Sequence, residues 1–287
     1  MIPSQNIVAW GAKISWAEQR QVEQDLIIGR ALVALYSDPF LRKELRFRGG
    51  TALNKLHFPV PLRYSEDIDL VRTASGPIGP VLDGVRTVLE PWLGKAGSDI
   101  TNTAPKLRFR VPAEDGSAII RLKIEINTRE TEALDPILEV PFKVENPWFT
   151  GETTIATYSR EELLATKLRA LLQRDKGRDL FDLAHSLEVF PTLKLPRVIQ
   201  CFGHYLKNSG QMIGRAEAER RMFAKYANPT FLADVRPLLS ASEAAKLDDA
   251  SIKRRFEQVF SKLVEAIPGD SWLRTEEMKR RFNVFVS

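Results

Sequence analysis

Apolar and polar positions alternate most sharply over Lys106 to Val111 and Ile119 to Thr128, two runs joined by the turn-rich segment Pro112-Ala113-Glu114-Asp115-Gly116-Ser117. A period of two over this length predicts an antiparallel β-hairpin. In the second run Leu122, Ile124 and Ile126 share one face and Arg121, Lys123, Glu125 and Asn127 the other. In the first, Lys106, Arg108 and Arg110 lie opposite Leu107, Phe109 and Val111. One face of the hairpin is therefore cationic, and it carries Glu125.

Upstream, Ser15 followed by Glu18 reads as a capping box for a helix from about Trp16 to Tyr36, and Pro39 opens a second short helical turn. Leu45 to Arg48 predicts a short strand, Gly49-Gly50 a turn, and Thr51 to His57 a short helix. Pro59 and Pro61 impose an extended loop before Ile68 to Arg72, an apolar stretch that reads as a strand. Pro80 to Leu93 reads as a helix covering the sheet. A short strand over Thr153 to Thr157 comes next, and Ser159 with Glu162 forms another capping box. From there the pattern is helical, punctuated at Pro196, Pro229, Pro237 and Pro268. The expected layout is α+β: a mixed sheet flanked by helices in residues 1–158, then an α-helical domain in 159–287.

Composition narrows the class. The 287 residues are 44% hydrophobic and 28% charged, enough for an ordinary core. Lysine and arginine number 42 against 37 acidic residues, a net charge of +5 that suits a polyanionic partner without requiring one. The single cysteine, Cys201, permits no intramolecular disulfide, and His57, His185 and His204 are too far apart to show zinc-ligand spacing. With no apolar run near the roughly 20 residues of a membrane helix and no basic-then-apolar opening, a cytoplasmic protein is expected. Lys253-Arg254-Arg255 and Lys279-Arg280-Arg281 read as solvated helix faces that could alternatively follow a nucleic-acid backbone.

The candidate chemistry lies in Ser65-Glu66-Asp67-Ile68-Asp69-Leu70. Asp67 and Asp69, two apart where a loop enters a strand, point to the same face, opposite Ile68 and Leu70. Like charges this close favour a cation between them, and Mg²⁺ is commonly held by one or two carboxylates plus substrate phosphates. Gly49-Gly50 leaves backbone N–H groups unobstructed where a helix begins, a place suited to phosphate. Farther along, Lys167 falls on the stripe Leu163, Leu164, Leu168 and Leu171, where an apolar residue is expected, and so needs an anionic partner. Asp179 and Asp182, one turn apart, could pair with Lys167, with Arg178 or with a nucleotide.

The runs Arg48-Gly49-Gly50-Thr51-Ala52-Leu53 and Arg63-Tyr64-Ser65-Glu66-Asp67-Ile68-Asp69-Leu70 resemble the signature of the AbiEii, MenT-like toxins of type IV toxin-antitoxin pairs, within the DNA polymerase β-like nucleotidyltransferases. Lys167 and Arg178-Asp179-Leu180-Phe181-Asp182-Leu183 are similar to that family's later lysine and R-D-x-x-D-L motif. The resemblance covers roughly Phe47 to Leu187.

It implies a nucleotidyltransferase fold whose helical domain completes the active-site cleft. It further implies transfer of a nucleotide from an NTP with Mg²⁺, two ions being expected on Asp67, Asp69 and Glu125. Gly49, Gly50, Thr51, Ser65, Lys167 and Arg178 are the expected nucleotide contacts, with Asp179 and Asp182 serving Lys167, Arg178 or the sugar. The acceptor implied by kinship is the 3′ end of tRNA, which Arg108, Arg110, Arg121 and Lys123 would contact, and the implied partner is an AbiEi-like antitoxin. Two other readings stay open: transfer to a small-molecule or protein hydroxyl, and a non-catalytic nucleic-acid-binding module.

Overall fold

The computed structural model describes residues 2–14, 16–99 and 104–285. It separates into two compact units, Met1–Ser159 and Arg160–Ser287.

In the first unit, helices α1 (Ser4–Gly11), α2 (Gln19–Ser37) and α3 (Pro39–Glu44) lead into β1 (Leu45–Arg48). Gly49 to Ala52 forms the short helix α4, which widens into a π-turn over Leu53–His57. Then come β2 (Asp67–Arg72), α5 (Gly79–Leu93), β3 (Gly97–Asp99), β4 (Lys106–Pro112), β5 (Ile119–Asn127), β6 (Leu138–Asn146) and β7 (Phe149–Thr157). The strands make one mixed sheet in the order β3-β4-β5-β2-β1-β7-β6. The β4–β5 hairpin pairs Lys106 to Pro112 with Ile119 to Glu125, and Leu107, Phe109, Leu122, Ile124 and Ile126 are fully buried.

Three local expectations change. The first long helix begins at Gln19, capped by a Glu18/Gln21 box, whereas Ser15 lies outside the described residues. Helix α4 starts at Gly49 rather than Thr51, since glycine tolerates the backbone needed directly after β1. The strand expected at Thr153 to Thr157 extends from Phe149 and forms a hairpin with β6, whose period-two pattern is interrupted by Pro141.

The core fills the space between the sheet and α2, α3 and α5. Leu26, Ile27, Ile28, Leu32, Phe47, Ile68, Leu70, Val85 and Leu89 are buried in it. Burial of Ile68 and Leu70 on this side directs Asp67 and Asp69 to the opposite, open side. Gln24 of α2 fastens the open side's rim by donating to the carbonyls of Glu66 (3.1 Å) and Arg121 (3.2 Å).

The second unit is helical: α6 (Arg160–Gln173), α7 (Gly177–Val189), α8 (Leu195–Asn208), α9 (Arg215–Tyr226), α10 (Pro229–Ala233), α11 (Ala241–Ala245), α12 (Asp249–Val259) and α13 (Thr275–Arg281). Among the described residues no helix is long and apolar enough to cross a membrane. Buried Glu219 anchors the end of this unit, accepting from Arg215, Ser271, Thr275 and the Trp272 amide.

Candidate active site

The open face of the sheet is organised by strand register. Antiparallel β1–β2 pairing sets Arg48 opposite Asp69, parallel β2–β5 pairing sets Asp69 opposite Glu125, and antiparallel β5–β4 pairing sets Glu125 opposite Lys106. One row across four strands thus reads Arg48, Asp69, Glu125, Lys106. The next row sets Asp67 beside Lys123 and Lys123 beside Arg108. Sequence periodicity put Asp67 and Asp69 on one face; the parallel β2–β5 pairing adds Glu125 to it.

Cations pack closely around these carboxylates. Lys123 Nζ lies 2.9 Å from Asp67 Oδ2 and 3.4 Å from Glu125 Oε2, and Lys106 Nζ lies 3.5 Å from the same Glu125 oxygen. Arg48 is engaged sideways, with Nη1 2.6 Å from Glu130 Oε2, which Asn127 also approaches at 3.3 Å. Arg108 is drawn outward to Asp99. Burial pushes the Asp69 carboxyl above its ordinary value, neighbouring Asp67 and Glu125 add to the rise, and Arg48 and Lys123 offset part of it.

The glycine turn closes over Asp69. Gly49 has φ +82°, and a β-carbon there would stand 2.3 Å from Asp69 Oδ2. Only glycine allows both the left-handed backbone and this approach. The turn is tied to the loop entering β2 by two short chains of hydrogen bonds. Thr51 Oγ1 donates to the Asp67 carbonyl at 2.5 Å, so the Ser65 hydroxyl, 2.7 Å away, is the donor to Thr51. Buried Asn54 donates to the Gly50 carbonyl at 2.9 Å and accepts from the amides of Leu62 and Arg63. The expected phosphate contacts Gly49, Gly50, Thr51 and Ser65 therefore lie together beside the carboxylate pair.

Farther out on the same face, Arg110 and Arg121 are directly paired across the hairpin and exposed. Like charges directly opposite one another destabilise a hairpin. Neither guanidinium has an ionic partner among the described residues.

In the helical unit, Lys167 does not reach solvent past the edge of its apolar stripe. It is 6% exposed, with Nζ 3.2 Å from Asp179 Oδ1 and 2.9 Å from Asp182 Oδ2, and both carboxylates are fully buried. Arg174, in the turn before α7, grips Asp179 in a fork, Nε to Oδ2 at 2.7 Å and Nη2 to Oδ1 at 2.9 Å. Burial works to raise the Asp179 carboxyl, yet Lys167 and Arg174 override it and hold the group below the ordinary carboxylate value. Arg178 is not drawn to these carboxylates; its backbone amide donates to Asp234.

Sequence pattern singled out none of Asn54, Glu130 and Arg174. Asn54 had a readable signal, because it lies one helical turn after Gly50 and in reach of that residue's carbonyl. Arg174 and Glu130 lie in turns, where no period marks them.

No cluster of three or more His, Cys, Asp or Glu side chains close enough to enclose an ion occurs among the described residues. The donor set still fits a hard cation. Asp67, Asp69 and Glu125 offer only oxygen, share one face and repel one another, and Asp69 is already disfavoured as an isolated anion.

Comparison with solved structures finds the same fold in proteins of low sequence identity. MenT4, a nucleotidyltransferase toxin from Mycobacterium tuberculosis, superposes with TM-score 0.67 at 18% identity, covering 100% of both chains. JHP933 from Helicobacter pylori gives TM-score 0.52 at 19% identity, covering 94% of this chain and 98% of its own. No curated protein matches the sequence significantly. The family model described as nucleotidyl transferase AbiEii toxin, type IV TA system, matches residues 30–272, a span that takes in both the sheet-face carboxylates and the buried Lys167 cluster. That extent settles the kinship: the chain belongs to the AbiEii nucleotidyltransferase toxin family.

Proposed function

We propose that this protein is a toxin that transfers a nucleotide from an NTP to the 3′ end of tRNA and so blocks translation in the cytoplasm. The observation that carries the reading is the register of Asp69 with Glu125, which with Asp67 collects three carboxylates beside a glycine turn. Asp67, Asp69 and Glu125 would hold Mg²⁺, two ions being the expected number. When bound, the metal supplies positive charge that offsets charge developing on the transferred phosphorus oxygens.

The chain's own residues do the positioning. Gly49 keeps the backbone close to Asp69, and with Gly50 beside it a phosphate could lie against N–H groups without a side chain intervening. Thr51 and Ser65 bridge the turn and the β2 entry, which fixes both edges of the phosphate position. Glu125 would accept the proton of the attacking hydroxyl. Arg108, Arg110 and Arg121 supply the cationic track for an acceptor RNA. The opposed Arg110 and Arg121 support this assignment, because an anionic backbone relieves their repulsion.

Lys167, Arg178, Asp179 and Asp182 enter the proposal through the family motif, as residues that would serve nucleotide binding. Type IV kinship supports an antitoxin partner of the AbiEi kind.

The test is incubation with Mg²⁺, each labelled NTP in turn and total tRNA, followed by 3′-end mapping. Label at tRNA 3′ ends from one or two NTPs is the expected result. Label in protein or in a small molecule, insensitive to salt and to added RNA, would replace the tRNA acceptor. Absence of any transfer would favour a binding module.

A further inference from the structure

Lys123 was expected to face RNA, but its ammonium group lies among the carboxylates, 2.9 Å from Asp67 Oδ2 and 3.4 Å from Glu125 Oε2. It is on β5, in register with Asp67 and two residues before Glu125, so all three side chains leave the same face. A point charge on a flexible four-carbon stem can occupy such a position and also leave it. Its side chain is 30% exposed, which leaves a route toward solvent.

We infer that Lys123 is a built-in counter-ion that occupies the cation position between Asp67 and Glu125 and must vacate it when a divalent cation enters. The inference rests on the reading of Asp67, Asp69 and Glu125 as metal-holding residues. Its consequence is that bare cation binding is weak, because every ion must first displace a bound ammonium. A triphosphate that arrives carrying its own cation brings negative charge that favours the exchange, so metal and nucleotide enter together.

The probe is Mn²⁺ alone, titrated into the full chain and followed by electron paramagnetic resonance. The variants are Lys123→Met, Lys123→Gln, Lys123→Arg and Asp69→Asn, each also melted with and without Mn²⁺. Met and Gln at 123 are expected to tighten the Mn²⁺ Kd about tenfold, a change worth about 1.4 kcal/mol. Arg, which keeps the charge, stays near wild type. Without metal the Met and Gln variants melt below wild type, and added Mn²⁺ closes the gap, since a ligand stabilises the state that binds it.

Unchanged or weaker Mn²⁺ binding in both neutral variants overturns the inference, as does a melting deficit of equal size with and without Mn²⁺, the mark of an ordinary ion pair. Asp69→Asn separates the two levels. If it binds Mn²⁺ like wild type, the carboxylate site itself is wrong; if it loses binding while Lys123→Met shows no gain, only the role of Lys123 fails.

Discussion

Gly49→Ala puts the closest contact in the candidate site under direct strain. The residue has φ +82°, and the added β-carbon would stand 2.3 Å from Asp69 Oδ2 and 3.1 Å from both Asp69 Cβ and Cγ. An L-residue in the left-handed region costs about 1–2 kcal/mol. For a unit of this size that lowers the melting midpoint by roughly 2–8 °C. The contact adds a second effect, because the carboxylate oxygen has to swing away from the position the turn leaves for it. A displacement near 1 Å in such a site lowers rate by about a hundredfold. The assay pairs thermal unfolding with single-turnover transfer from a labelled NTP. A Gly49→Ala protein with wild-type midpoint and wild-type transfer would show that the turn does not constrain Asp69.

Other perturbations test separate parts of the molecule. Lys167→Met removes an ammonium that buried Asp179 and Asp182 share, at a cost of about 3–5 kcal/mol in urea unfolding. Asp179 has a lowered native pKa, so its contribution is present above the unfolded carboxylate value of about 3.9 and is lost as pH falls through the lower native value. Asp179→Asn should flatten the acid limb of a stability-against-pH curve. Asp69 has the opposite sign: its native pKa is raised, so stability falls as pH climbs from about 3.9 toward the native value. Asp69→Asn should remove that fall and keep or raise stability at neutral pH. Arg110→Ala with Arg121→Ala should reduce the slope of log Kobs against log salt for tRNA binding by about 1.5, measured by filter binding.

What the sequence disclosed followed from periodicity and from residues with special backbone needs. The β4–β5 hairpin was legible because Leu107 and Phe109, and every second residue from Ile120 to Ile126, are buried. The carboxylate pair was legible because Ile68 and Leu70 fix which way Asp67 and Asp69 face. Strand β6 was not, because it is an edge strand with Pro141 in its middle and its apolar positions are only partly covered. Lys123 shows a different limit. Its alternation correctly gave its face, but charge pattern alone could not distinguish an exposed RNA contact from an ammonium drawn to Asp67, because that depends on the parallel register of β2 and β5. Arg174 and Glu130 were hidden for a related reason, since their partners are set by turns that bring together residues with no shared period.

The β2–β5 carboxylates are proposed to carry nucleotidyl transfer. The most direct measurement of this role is 3′-end labelling of total tRNA by wild type, Asp69→Asn and Glu125→Gln, with each variant first shown to unfold cooperatively at a midpoint no lower than expected. Wild type should label tRNA, Asp69→Asn should not, and Glu125→Gln should lose most of the labelling. Labelling by Asp69→Asn at the wild-type rate would contradict this role.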